Sequence, residues 1–142
     1  MTTNTKAARL VQPYLFFEGR CEEALEFYRT ALDAEVTMLM RYKESPDPAM
    51  CQAGAEDKVM HSNFRIGETQ VMASDGRCQG PARFEGFALS ITAQTEEEAD
   101  RLFNALADGG AVQCPLMKTF YATRFGMVTD RFGVLWMVIM EP

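Results

Sequence analysis

Thr129-Asp130-Arg131-Phe132-Gly133-Val134-Leu135-Trp136-Met137-Val138-Ile139-Met140 reads as strand, tight turn and strand. Asp130 and Gly133 punctuate the turn, since glycine takes φ > 0 at little steric cost. The apolar run that follows is dense in β-branched and aromatic residues, as in a strand buried on both faces. The same phrase stands earlier as Phe64-Arg65-Ile66-Gly67-Glu68-Thr69-Gln70-Val71-Met72. Gly67 answers to Gly133, and Val71-Met72 to Met137-Val138, so the chain is to be searched for a duplication.

Working back from these hairpins, Leu10 to Phe17 reads as a strand, with Pro13 marking an edge or a start. Cys21 to Leu32 has helical spacing, with Ala24, Leu25, Tyr28 and Ala31 on one face and Glu22 and Glu23 in the first turn. Glu35 to Arg41 is a strand, Tyr42 to Asp57 a long loop of the kind that forms lids or mobile segments, and Lys58 to Ile66 opens the first hairpin. The second half repeats the order. Phe84 to Thr92 is a strand and Thr95 to Glu98 a capping box. A helix runs from there to about Asp108, where Gly109-Gly110 stops it. Strands follow at Ala111 to Met117 and within Thr119 to Val128. Glu23-Ala24-Leu25 aligns with Glu98-Ala99-Asp100, and the hairpins align at a shorter offset. The longer loop of the first half accounts for the difference. The fold expected is α+β, two βαβββ modules whose sheets each carry a helix on one face and curl around a pocket on the other. Residues 1–8 are read as a disordered tail, 9–80 as the first module and 81–142 as the second.

The chain has 142 residues, enough for one domain with a core of its own. A net charge of −6 argues against nucleic acid or an anionic membrane as partner. No apolar run approaches the ~20 residues of a membrane span. The polar start, Met1-Thr2-Thr3-Asn4-Thr5-Lys6, lacks the apolar segment of a signal peptide, and a cytoplasmic location is expected. Cys21, Cys51, Cys78 and Cys114 are then reduced thiols. With one histidine and no paired cysteine spacing, the usual zinc sites are not expected. Ten methionines serve either as core filling or as an adaptable lining for an apolar ligand.

Tyr14-Leu15-Phe16-Phe17-Glu18-Gly19, Glu22-Glu23-Ala24-Leu25-Glu26-Phe27-Tyr28, Asp75, Gly109-Gly110, Arg124-Phe125-Gly126 and Asp130-Arg131-Phe132-Gly133 with Trp136 carry a resemblance. In this order they resemble the vicinal oxygen chelate superfamily of glyoxalase I, extradiol dioxygenases and bleomycin-resistance proteins. Within it the chain is similar to the PhnB-like, or 3-demethylubiquinone methyltransferase-like, branch. The resemblance implies a glyoxalase-like fold, a homodimer and a pocket within each curled sheet. The superfamily's enzymes hold a divalent metal on four inward side chains, which by position fall near Pro13 (or Gln12), His61, Gly86 (or Phe87) and Met137. Of these only His61 is a good ligand, so the reading carries no metal and no cofactor. Nor is there a glycine-rich nucleotide loop of the kind that follows a strand.

Alternation puts His61, Asn63 and Arg65 on one strand face. His61 is a ligand contact, a general base or a hydrogen-bonded core histidine. Arg124 with Tyr121 is either a bidentate anion fork or half of a structural pair with Asp130 or Asp75. Ser90 and Met137 join the candidate ligand-binding set with His61, Asn63, Tyr121 and Arg124. Cys21 opens a helix, where a thiolate is stabilised, yet no base lies beside it in sequence. The leading reading is a metal-free binder of a small apolar or aromatic molecule. The alternatives are a divalent-metal or His61-dependent isomerase or lyase, and a protein whose main role is interaction.

Overall fold

The computed structural model describes residues 9–47, 54–78 and 80–142. The expected tail at residues 1–8, the middle of the 42–57 loop and Cys51 lie outside them. The first module runs β1 (Tyr14–Phe16), α1 (Cys21–Leu32), β2 (Glu35–Arg41), β3 (Val59–Ile66) and β4 (Thr69–Ser74). The second runs β5 (Leu89–Thr92), α2 (Glu96–Ala107), β6 (Ala111–Met117), β7 (Arg124–Thr129) and β8 (Leu135–Met140). Each module forms a four-stranded sheet, ordered β1-β4-β3-β2 in one and β5-β8-β7-β6 in the other. β1 is parallel to β4 and β5 to β8, while the other pairs are antiparallel. The duplicated, mixed, glyoxalase-like α+β architecture is the one expected.

The strands before the helices are shorter than the apolar pattern suggests. Pro13 has no N–H, so the ladder of β1 begins after it, although its carbonyl still accepts from the Met72 N–H at 3.0 Å. Phe84 to Ala88 leaves the sheet because Gly86 sits at φ +82°, which breaks an extended run. The hairpin glycines do what the repeat implied: Gly67 and Gly133 turn at φ +57° and +95°.

α1 buries Cys21, Ala24, Leu25, Tyr28, Ala31 and Leu32, and α2 buries Ala99, Leu102, Phe103 and Leu106. Each such leucine or phenylalanine contributes about 1.5–3 kcal/mol. At Gly126 a Cβ would stand 2.6 Å from the Phe103 ring, so α2 can seat against β7 only over a glycine. Thr95 Oγ1 accepts the Glu98 N–H at 3.0 Å, and the Glu98 carboxylate reaches back to the Gln94 N–H rather than to Thr95 itself. α1 has no local cap. The buried Asp75, far along the chain, accepts the Cys21 N–H at 2.8 Å with one oxygen and the Val59 N–H at 2.7 Å with the other.

The helix-bearing faces of both sheets share one core. Its knot is Asp130, in the turn of the closing hairpin. Phe132 and Val134 donate their N–H groups to its Oδ1 at 2.8 and 3.0 Å. Tyr28 Oη of α1 and Trp136 Nε1 donate to Oδ2 at 2.5 and 2.9 Å. Phe132 meets Phe17 and Phe27 edge-on. The second module's turn is thereby plugged into the first module's helix. Among the described residues no helix is long and apolar enough to cross a membrane.

Candidate functional site

Along β3, Ser62 and Phe64 point into the core and are buried, so His61 and Asn63 point the other way. Register extends that second face across the sheet. Met40 stands opposite His61, Met38 and Met72 stand on either side of Asn63, and Tyr14 pairs with Met72. Leu15 and Phe17 are buried beneath, leaving Tyr14 and Phe16 on the open side with their rings stacked at 4.9 Å. Three of the methionines therefore lie beside an aromatic pair and the single histidine.

Two details give this face chemistry. Tyr14 Oη lies 2.9 Å from His61 Nδ1. If the phenol donates, the proton of the neutral imidazole sits on Nε2. Asn63 Oδ1 is buried and, among the described residues, has no hydrogen-bond partner. Leaving such an acceptor unmet costs about 1–3 kcal/mol, so it marks a place where a donor belongs.

The other sequence candidates lie elsewhere. Ser90 and Met137 are neighbours on the uncovered face of the second sheet, with Met127 and Cys114 beyond them. Beside them a cavity of 700 Å³ lies between the Phe84–Ala88 loop and Met127, Thr129 and Leu135. Tyr121 is half exposed, edge-on to Phe125. The Arg124 guanidinium is held by Glu96 at 2.8 Å and Asp100 at 3.6 Å, at the start of α2, not by Asp130 or Asp75. That hydrogen bond to Glu96, followed by the charge of Asp100, holds its pKa above the ordinary value. Cys21 is buried beside Ser62, and burial pushes its thiol up to about 12, which makes it an inert core thiol. Tyr14, Met38, Met40 and Met72 were not singled out from sequence. Alternation on β1 shows Tyr14, whereas the methionines depend on register.

The metal positions of the superfamily do not converge into a fitting set. Gln12 and Pro13 precede β1 and bring no carboxylate, thiolate or imidazole, Gly86 and Phe87 fall in the loop before β5, and Met137 is a thioether. Among the described residues no three histidine, cysteine, aspartate or glutamate side chains are grouped to hold an ion.

Comparison with known proteins agrees with this architecture. The protein YjdN of Escherichia coli K12 is 36% identical over 136 residues, covering 90% of this chain and 92% of its own. The crystal structure of PA1353 from Pseudomonas aeruginosa has a TM-score of 0.84 at 41% identity, covering 94% of this chain and 98% of that one. The PhnB protein of Bacillus cereus has a TM-score of 0.77 at 30% identity, covering 93% and 99%. A glyoxylase/bleomycin resistance protein/dioxygenase domain from Frankia shares the fold alone, with a TM-score of 0.63 at 13% identity over 96% of this chain and 94% of its own. The family profile of 3-demethylubiquinone-9 3-methyltransferase matches residues 9–139. The chain therefore belongs to that PhnB-like family, on a glyoxalase-like fold.

Proposed function

We propose that the protein binds a small aromatic or apolar molecule, without a metal, on the open face of the first sheet. The observation that carries this is Asn63 Oδ1, unpartnered among the described residues, beside a histidine whose ring is fixed by Tyr14. Met38, Met40, Met72 and Phe16 supply an adaptable apolar bed for a flat body. Asn63 and His61 supply the polar contacts that orient it, the usual division of labour in a ligand site. The ligand therefore carries an N–H or O–H group. Methyl transfer is not part of this reading, because no glycine-rich cofactor loop follows a strand.

The test uses 2-naphthol, a planar aromatic with one hydroxyl donor, against 2-methoxynaphthalene, which lacks it. The expected result is a rise in melting temperature with 2-naphthol and a preference over the ether of about 5- to 100-fold. Asn63→Leu should erase the preference. Equal affinity for both compounds, or none for either, would overturn the proposal.

The Tyr14–His61 contact favours a second reading, in which the oriented imidazole moves a proton on the bound molecule. It expects turnover that disappears in His61→Ala and falls in Tyr14→Phe. We also propose a homodimer in which a second copy covers the open faces. The exposure of Phe16, Phe120 and Tyr121, at 51%, 99% and 49%, supports it. Light scattering at micromolar concentration should give twice the chain mass, and the chain mass alone would refute it.

A further inference from the structure

Away from the face around Asn63, a cleft of 770 Å³ runs between the modules, within the range of small-molecule sites. Val71 and Leu32 line it from the first module, and Leu102 and Trp136 from the second. Its rim carries both signs of charge, with Arg65 and Arg101 against Asp33, Glu35 and Glu98. Arg65 is tied to Glu35, while Arg101 meets Asp33 only at 4.0 Å and is half exposed. Arg101 is thus the rim cation held most loosely.

One wall of the cleft is a strand edge. Ala88 through Thr92 lines it, and β5 is the outermost strand of its sheet. The Ala93 N–H bonds the Ile139 carbonyl of β8 at 2.8 Å, which sets the parity of the parallel ladder. Residues 89, 91 and 93 face β8, so the backbone N–H and C=O groups of Ser90 and Thr92 face outward into the cleft. The same parity holds in the first module, where Phe17 N–H bonds the Ser74 carbonyl. Among the described residues none bonds these outward groups, and such a row of backbone donors and acceptors is a template for another extended chain.

We propose that this cleft binds a short extended peptide, or a peptide-like compound, which adds to β5 as a strand. Its amides pair with Ser90 and Thr92, and a side chain enters between Val71 and Leu102. The mixed charge of the rim suits a zwitterion, with the carboxylate drawn to Arg101 and the ammonium to Asp33 or Glu98. A simple fatty acid has no amides for the edge and a net charge that the three rim carboxylates oppose.

Trp136 is the only tryptophan of the chain and lines this cleft, so it reports occupancy here and not at Asn63. The probe is trivaline, with N-acetyl-trivaline methylamide and octanoate for comparison. Trivaline should change the tryptophan fluorescence saturably and slow hydrogen exchange at the Ser90 and Thr92 amides. Ser90→Pro removes one outward N–H and leaves the ladder to β8 intact, as proline is tolerated on an edge. It should weaken binding about tenfold. Arg101→Glu should weaken trivaline and leave the uncharged peptide unchanged. The proposal is overturned if trivaline leaves Trp136 unchanged at millimolar concentration, if octanoate binds as well, or if Ser90→Pro binds as the parent does. Exchange protection in the parent protein decides the matter should Ser90→Pro not fold. Failure of trivaline would leave the naphthol result untouched, and the converse holds too.

Discussion

Asp130 and Asn63 are polar groups withdrawn from water in two regions of the same duplicated frame, and the frame treats them oppositely. The Asp130 carboxylate collects four donors, one of them from the other module. Among the described residues the Asn63 side-chain oxygen collects none. Asn63 stands between Met38 and Met72, and Asp130 is bonded by Phe132 and Trp136, so hydrophobic surroundings do not separate them. What separates them is the face. Asp130 lies on the side the helices cover, where an unmet group would weigh against folding every time the chain folds. Asn63 lies on the side no helix covers, where another molecule can meet it. Fully met polar groups hold this fold together, and the unmet one marks where it has work left to do.

The sharpest way to break that comparison is Asp130→Ala. The substitution strands the Tyr28 hydroxyl, the indole N–H and two backbone amides in the core, and it unplugs the second module's turn from α1. A loss of about 3–5 kcal/mol is expected in urea unfolding. A loss below ~1 kcal/mol would show that the knot is ornamental. Asp130→Asn, which keeps an acceptor, should cost less.

Alkaline pH probes the same core more gently. Burial raises the Cys21 thiol from 9.0 to about 12. Burial, followed by the charge and hydrogen bond of Asp130, raises the Tyr28 phenol well above 10.0. In both cases the folded state keeps a proton that the unfolded chain releases. Their contribution is complete below pH ~9 and is lost as pH rises, at about 1.4 kcal/mol per pH unit for each group titrating only when unfolded. Denaturant midpoints should therefore fall steeply between pH ~9 and ~11, first through Cys21 and then through Tyr28. Cys21→Ala should flatten the first part of that fall, and an unchanged slope would sink this account.

How much of this was open to a reader of the sequence follows from where each interaction comes from. α1, β2 and β6 fall where the sequence puts them, α1 because its apolar residues recur on the one face it buries. The strands leading into the helices were read too long, since Pro13 and Gly86 act on the backbone beneath an apolar pattern that continues past them. His61 and Asn63 sharing a face follows from alternation alone. That Met38 stands beside Asn63 does not, because a bulge shifts the register of β2 between Val36 and Met38. The Asp130 knot was invisible for another reason. Its donor Tyr28 lies 102 residues away, and the turn motif announced only a turn.

Asn63→Leu sharpens the comparison from the open side. Losing a met core acceptor is costly, but losing an unmet one removes a penalty. The variant should be as stable as the parent, or more stable by up to ~1 kcal/mol, while it loses its preference for 2-naphthol. Destabilisation by more than that would mean the amide is already serving the fold, and Asn63 would then join Asp130 instead of contrasting with it.

The smallest effect is expected at Arg124, and it decides between the two roles the sequence left open for that residue. A guanidinium free to fork a ligand's anion would lose affinity when neutralised. Here the fork is already held by Glu96 and Asp100, on a wet surface where ion pairs contribute little and salt screens them. Arg124→Gln should lower the melting temperature slightly at low salt, not at all at high salt, and leave the 2-naphthol affinity unchanged. A drop in that affinity would require the ligand to pull Arg124 away from α2. It would also move the site from the first sheet toward the second, which makes the weakest of these substitutions a direct check on where the open, unmet chemistry of the protein lies.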